Sequence, residues 1–130
     1  LLENITLYDD AIDDERLVRA AKLAGIHDFI LGLPMGFNSL IGDMGALMSA
    51  GQAQRILLAR VFYKQAKILF LDEATANLDM AVEQKVLAGI RSLKTTTIMV
   101  SHRAAPLQMA DRVFVLKNGQ LQLDSGAAHS

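Results

Sequence analysis

The sequence predicts an α/β fold in which helices come first, strands of a mostly parallel sheet alternate with helices, and a β-hairpin ends the chain. Residues 68–71 and 96–100 are short runs of apolar and β-branched residues, which predict buried parallel strands. The pair Asn118–Gly119 separates two further strand-like runs, residues 112–116 and 120–123, and predicts a type I′ hairpin.

Composition narrows the class of protein. Hydrophobic residues make up 52% of the 130 residues, which is typical of a globular domain. The net charge of -1 gives no basic surplus, so we expect no nucleic-acid partner. Cysteine is absent, which excludes disulfides and cysteine metal sites. No apolar run approaches the roughly 18 residues that span a bilayer.

The first 48 residues lack strand patterns and predict a helical subdomain. After a lead-in of residues 1–12, Asp13 or Asp14 caps a helix to about Leu23, and Gly25 suits its left-handed end. A shorter helix follows at residues 28–31. Gly and Pro recur between residues 32 and 48 and predict a loop there, and we expect residues 125–130 to form a frayed tail.

The clearest helix begins at Ser49 and runs to about Lys64. Ser49 and Gln52 form the capping-box pattern, in which each side chain satisfies a free backbone N–H. Such a helix end attracts phosphate, and Gly51 allows an anion to approach the backbone closely. A capping box without any ligand explains Ser49 and Gln52 equally well. Asp79 likewise suits the N-cap of the next helix, and that role alone suffices for it.

Two acids follow the first predicted strand. In open α/β sheets, ligands lie beyond the carboxyl ends of the strands. Asp72 is therefore placed to hold Mg²⁺ through water, and Glu73 to orient or deprotonate an attacking water. The alternative is that both acids simply end the strand.

His102 follows the second predicted strand and lies on the same edge as Asp72 and Glu73 if the two strands share a sheet. A neutral imidazole at that edge can hydrogen-bond a phosphate oxygen. The alternative is an ordinary surface or core histidine. His27 and His129 have no partners at ligand spacing, so we assign them no function.

Four segments together resemble the ATP-binding cassette (ABC) family. Residues 48–52 (MSAGQ) resemble its signature motif, and residues 68–75 (ILFLDEAT) resemble its Walker B strand. Residues 76–79 (ANLD) match its D-loop, and residues 101–103 (SHR) match its switch histidine. The four occur in the family's order and spacing. The resemblance implies a partial P-loop NTPase (RecA-like) core over residues 49–124.

The resemblance also implies ATP and Mg²⁺ as cofactors and gives three residues a role in hydrolysis. Asp72 corresponds to the residue that binds Mg²⁺ through water, and Glu73 to the one that polarises the attacking water. His102 corresponds to the residue that contacts the γ-phosphate. No phosphate loop of the type G-x-x-x-x-G-K-[ST] and no Q-loop glutamine occur in these residues. We therefore expect a C-terminal part of the domain, inactive by itself.

The family works as a dimer, and the resemblance implies a second nucleotide-binding domain as partner. Asp79 corresponds to a residue that crosses the dimer interface. The residues that correspond to those facing the nucleotide held by the opposite domain are Ser49, Ala50, Gly51 and Gln52. Ala50 departs from the motif, where glycine stands, and its methyl group could crowd the phosphate or require a different backbone angle.

The exporter branch gives the best local match. Residues 41–45 (IGDMG) resemble the exporter X-loop, which touches the transmembrane domain. Residues 33–38 (LPMGFN) and 42–45 (GDMG) look most like peptidase-containing bacteriocin exporters of the colicin V type. The resemblance implies ATP-driven export. The domain would lie at the cytoplasmic face of the bacterial inner membrane, connected to the membrane only through a transmembrane domain. One alternative is a soluble ABC ATPase of translation or DNA repair, which the X-loop resemblance disfavours. Another is a non-catalytic truncated remnant.

Overall fold

The computed structural model describes residues 1–44 and 48–124, with the side chains of Asp43 and Met44 left aside. Its helices and strands follow one another in the order α1 (Leu2–Thr6), α2 (Asp14–Leu23), α3 (His27–Leu31), α4 (Ile41–Met44), α5 (Ala50–Lys64), β1 (Ile68–Asp72), α6 (Met80–Ser92), β2 (Thr96–Val100), α7 (Ala104–Met109), β3 (Phe114–Lys117) and β4 (Gln120–Leu123). Within the described ranges, no helix is both long and apolar enough to cross a bilayer.

The helical part before α5 agrees with the sequence in its caps and differs in its short turns. Asp13 caps α2 by accepting a hydrogen bond from the backbone of Arg16, and Gly25 has the predicted left-handed φ of +66°. The lead-in contains α1, and the predicted loop contains α4 and a 3₁₀ turn, Gly36–Asn38. Single turns such as these show no repeating apolar pattern, which is why the sequence did not predict them. Gly45 and the predicted tail, residues 125–130, lie outside the described residues.

Helix α5 is the centre of the hydrophobic core. Its buried side chains are Ile56, Leu58, Ala59, Phe62 and Tyr63. Helices α1 and α2 both pack against it. These buried residues recur three and four positions apart and therefore line one broad face of α5, which its neighbours cover.

A polar cluster anchors the segment before α2 to the end of α5. The Tyr63 hydroxyl donates to Asp9 Oδ2 at 3.1 Å and accepts from Arg16 Nη2 at 3.1 Å. The Arg16 guanidinium carbon also lies 4.3 Å from the centre of the Tyr63 ring. Hydrogen bonds from the backbone of Ala11 and from the Tyr63 hydroxyl lower the pKa of the Asp9 carboxyl. The cluster satisfies the hydroxyl of a tyrosine that is almost fully buried.

In the part of the chain that the structure describes, the strands form two separate two-stranded sheets. Strands β1 and β2 pair in parallel, with Ile68 opposite Thr96 and Asp72 opposite Val100, so their carboxyl ends coincide. Strands β3 and β4 pair antiparallel across a two-residue turn. The whole turn, Asn118–Gly119, has positive φ values of 50° and 74°, as the predicted type I′ hairpin requires. The parallel pairing and the hairpin are both confirmed.

The prediction that β1 and β2 are buried strands is wrong for one face of their sheet. Leu69 and Leu71 are each 6% exposed, whereas Ile68 and Phe70 are 54% and 75% exposed. The helices of the described residues cover one face only, so the alternate side chains remain in solvent. We name the uncovered surface the open sheet face; its apolar side chains are Ile68, Phe70, Ile98 and Val100.

The open sheet face predicts how the 130-residue chain behaves in isolation. We expect it to self-associate, because an exposed apolar patch of this kind favours contacts between molecules. Phe70→Thr should shift the chain towards the monomer in sedimentation velocity. Leu71→Thr, at the next residue, changes the buried face. It should lower the free energy of unfolding by at least about 2 kcal/mol and should not shift the chain towards the monomer. A wild-type chain that stays monomeric and unfolds reversibly and cooperatively in urea would contradict this expectation.

Candidate active site

The ends of β1 and β2 bring the predicted acids and the predicted histidine to one edge. Asp72 is the last residue of β1, and Glu73 follows it. The Glu73 backbone N–H donates to the carbonyl of Val100, the last residue of β2, at 2.9 Å. His102 Nδ1 then lies 2.8 Å from Glu73 Oε1. The parallel register places the imidazole against the second acid, although the two residues are 29 positions apart in the chain.

Glu73 has a backbone conformation that few residues other than glycine adopt. Its φ of +47° lies in the left-handed region, which is strained for a side chain of this size. The carbonyl of Glu73 accepts hydrogen bonds from the backbone of Ala76 at 3.1 Å and from Gln54 Nε2 at 3.0 Å. Together with the bond to Val100, these contacts hold the strained backbone in place and set the direction of the carboxylate.

The two carboxylates differ in their partners. Glu73 Oε2 is shielded from solvent and has no hydrogen-bond partner among the described residues. A carboxylate oxygen of this kind is an unsatisfied acceptor, which native structures seldom leave without a partner. The side chain of Asp72 is exposed and makes no hydrogen bond with the described part of the chain. One acid is therefore ready to accept a hydrogen bond, and the other is open to a cation.

Asp72 fits a magnesium ion that arrives with other ligands. Residues 1–44 and 48–124 contain no group of three or more His, Asp or Glu side chains that could hold a metal ion. Mg²⁺ commonly takes one or two carboxylates and completes its shell with water and substrate phosphates. A single exposed acid at a strand end matches that donor set.

The N-terminus of α5 has the predicted capping box. Ser49 Oγ accepts from the backbone N–H of Gln52 at 3.1 Å, and Gln52 Oε1 accepts from that of Ser49 at 2.9 Å. The Ser49 hydroxyl keeps its own proton for another acceptor. Ala50 is the exposed first residue of α5 and has no positive φ, so its methyl group requires no unusual backbone angle.

Gly51 allows α5 to approach the turn that follows Glu73. A Cβ atom added at Gly51 would lie 2.7 Å from the backbone oxygen of Asn77, closer than real Cβ contacts occur. The glycine is therefore needed for packing within the chain, in addition to the predicted approach of an anion. Asp79 ends the same turn and caps α6 as predicted, accepting from the backbone N–H of Val82 at 3.0 Å.

Arg103 also binds this turn, through contacts that the sequence did not predict. Arg103 Nη1 donates to the carbonyls of Thr75 (2.6 Å), Ala76 (3.2 Å) and Leu78 (3.1 Å). Arg103 Nη2 lies 3.1 Å from Glu83 Oε2, and Glu83 is 2% exposed. The Thr75 hydroxyl donates to Glu83 Oε1 at 2.7 Å, so the buried acid has a partner at each oxygen. In the sequence Glu83 has the appearance of an ordinary acid in the first turn of a helix.

Known proteins share this sequence and fold. A family model described as ABC transporter matches residues 1–76. The alpha-hemolysin translocation ATP-binding protein HlyB of Proteus vulgaris is 40% identical over 123 residues, which cover 93% of this chain and 17% of HlyB. The leukotoxin translocation ATP-binding protein LktB of Mannheimia haemolytica is 40% identical over 129 residues, 98% of this chain and 18% of LktB. The chain thus spans less than a fifth of the length of either relative.

A solved structure gives the same result for the fold. A bacterial Atm1-family ABC exporter with ATP bound superposes with a TM-score of 0.82 at 37% identity, over 92% of this chain and 21% of that one. The predicted fold class, a partial P-loop NTPase core with a parallel sheet and a C-terminal hairpin, is confirmed. The predicted resemblance is confirmed as well. The chain belongs to the ABC transporter family.

Proposed function

We propose that this chain is part of the nucleotide-binding domain of an ABC exporter, in which ATP hydrolysis drives the export of a peptide or protein. The observation that carries the proposal is the contact between Glu73 and His102 at the shared carboxyl end of two parallel strands, beside Asp72. The names of HlyB and LktB, which are toxin translocation proteins, support an exported polypeptide. The resemblance of residues 33–38 and 42–45 to colicin V-type exporters favours a bacteriocin.

The two acids divide the work of hydrolysis. Asp72 would hold Mg²⁺ through water, and the ion when bound neutralises charge on the transferred phosphoryl group. Glu73 would accept a hydrogen bond from the attacking water and orient it. Oε1 is engaged by His102, and Oε2 has no partner among the described residues but is shielded from solvent, so binding of a water there requires the side chain to turn. Three hydrogen bonds fix the backbone of Glu73 and so limit where its carboxylate can be placed.

His102 would connect the glutamate with the γ-phosphate. Its Nδ1 faces Glu73, which leaves Nε2 for a phosphate oxygen. A neutral imidazole donates from one nitrogen only, so donation to the carboxylate and to the phosphate at once requires the protonated ring.

The N-terminus of α5 would serve a nucleotide bound by a second copy of the domain. The free N–H groups and partial positive charge of the helix end favour a phosphate, and Ser49 still has a hydroxyl proton to donate. Ala50, Gly51 and Gln52 form the rest of this surface, and Asp79 would contact the partner domain. A transmembrane domain is the other partner and the only connection to the membrane. The domain would lie at the cytoplasmic face of the bacterial inner membrane.

The role of Glu73 can be tested in a hybrid exporter, full-length HlyB in which this chain replaces the matching 123 residues. Glu73→Gln should lower ATP turnover at least about 100-fold, because the amide is a poor base and a weaker acceptor for water. ATP binding should persist, and the two domains should stay closed on it. Phosphate release and nucleotide binding measure the two effects. Glu15→Gln, at an exposed position of α2, is the matched control. Turnover that survives Glu73→Gln would remove Glu73 from this role.

The isolated 130-residue chain should show no measurable ATP hydrolysis. In P-loop NTPases the phosphate loop supplies most contacts to the triphosphate, and its motif does not occur in these residues. Phosphate release from the purified chain is the measurement. Robust hydrolysis that disappears with Glu73→Gln would refute this expectation.

Ala50 and Gly51 should respond in opposite ways to substitution in the hybrid. Ala50→Gly should raise ATP turnover or leave it unchanged, because it removes an exposed methyl group near the proposed phosphate contact. Gly51→Ala should lower turnover, because its Cβ would collide with the carbonyl of Asn77. Steady-state ATPase rates compare the two. A large loss with Ala50→Gly would show that the alanine is adapted to its site.

A further inference from the structure

Gln54 joins α5 to the turn that carries Glu73. Its Nε2 donates to the Glu73 carbonyl at 3.0 Å, and its Oε1 accepts from the backbone N–H of Asn77 at 3.0 Å. The carbonyl can only accept and the N–H can only donate, so the two partners fix the orientation of the amide. Both ends of one half-buried side chain are thus used by backbone atoms four residues apart.

We propose that Gln54 is a positioning residue for hydrolysis, which sets where the Glu73 carboxylate stands relative to the N-terminus of α5. This inference rests on the proposed function. Glu73 has a left-handed backbone that persists only if its surroundings hold it. Without Gln54, the local bond from Ala76 is the one that the Glu73 carbonyl keeps among residues 1–44 and 48–124, and the connection to α5 through that carbonyl is lost.

Gln54 makes directional hydrogen bonds with the turn, whereas Gly51 only allows the helix to come close to the turn. Gly51 and Gln54 are three positions apart and therefore lie on the same face of α5. Gly51 lets the helix approach the carbonyl of Asn77, and Gln54 binds the N–H of the same residue. The pair fixes both the distance and the register between helix and turn.

Arg103 cannot replace Gln54. It has only donors, and it binds the carbonyls of residues 75, 76 and 78. The Asn77 N–H requires an acceptor, and the Glu73 carbonyl is outside the set that Arg103 contacts. The two side chains hold complementary groups of one turn, Arg103 from the segment after β2 and Gln54 from α5.

The position of Gln54 predicts which kinetic constant responds. Both polar atoms of Gln54 bind backbone of the turn that carries Glu73, and neither faces the proposed nucleotide, so their removal acts first on the direction of the water-orienting group. A small displacement at a reacting centre costs rate. We therefore expect an effect on kcat and little effect on the KM for ATP.

The test uses Gln54→Met in the HlyB hybrid, because methionine has a similar length and no amide. Its kcat should fall about tenfold, with a KM for ATP within about twofold of the parent. Gln54→Glu is the second variant: it keeps an acceptor for Asn77 but sets a carboxylate oxygen against the Glu73 carbonyl, and its kcat should fall at least as far. Gln84→Met makes the same chemical change at an exposed position of α6 and should leave kcat unchanged. The thermal midpoints of Gln54→Met and Gln84→Met should agree within a few degrees.

Combination with Glu73→Gln separates positioning from general stability. If Gln54 acts through Glu73, Gln54→Met should lower the residual turnover of the Glu73→Gln hybrid by less than about twofold. Full multiplication of the two losses would overturn the inference. So would a normal kcat for Gln54→Met, or a loss of kcat matched by a large loss of thermal stability. A parent hybrid without ATPase activity, or one indifferent to Glu73→Gln, would instead refute the proposed function, and the inference with it.

Discussion

The parallel register of β1 and β2 is the constraint on which the site depends. Asp72 stands opposite Val100, so the residues just beyond both strands leave the sheet at the same place. The bond from the Glu73 N–H to the Val100 carbonyl extends the pairing by one residue and turns the chain. A shift of the register by one residue would move the imidazole away from Glu73 and reverse which faces are buried. The contact between Glu73 and His102 is thus a consequence of backbone pairing.

The turn from Glu73 to Asp79 is held from three directions. Strand β2 binds its start, α5 contacts it through Gly51 and Gln54, and Arg103 binds its carbonyls. A strained residue such as Glu73 requires dense hydrogen bonding, because strain persists only where neighbours oppose its relaxation. The same contacts join the helix end and the strand end into one unit. A displacement of the helix end would therefore also move the strand end, and the reverse.

The core is one-sided. Helices cover Leu69 and Leu71, while Ile68 and Phe70 on the opposite face of the strand lie in solvent. Apolar residues on both faces are typical of strands in parallel sheets covered by helices on each side. The open sheet face therefore fits a segment of a larger domain, in keeping with relatives of which this chain spans less than a fifth. The site edge is nonetheless formed within the described residues, because it needs only two strands and the turn.

Local rules in the sequence determined the helix caps at Asp13, Ser49 and Asp79, the two parallel strands, the hairpin turn and the acids and histidine at the strand ends. Each depends on residues close together in the chain, or on the rule that parallel strands end together. Tertiary structure alone decided that Gln54 binds Glu73 across 19 positions and that Arg103 binds Thr75 across 28. No periodicity or cap specifies such distant partners. Tertiary structure also decided which face of the strands stays exposed. An apolar side chain does not by itself show whether it is buried, because burial depends on which helices and strands are present to cover it.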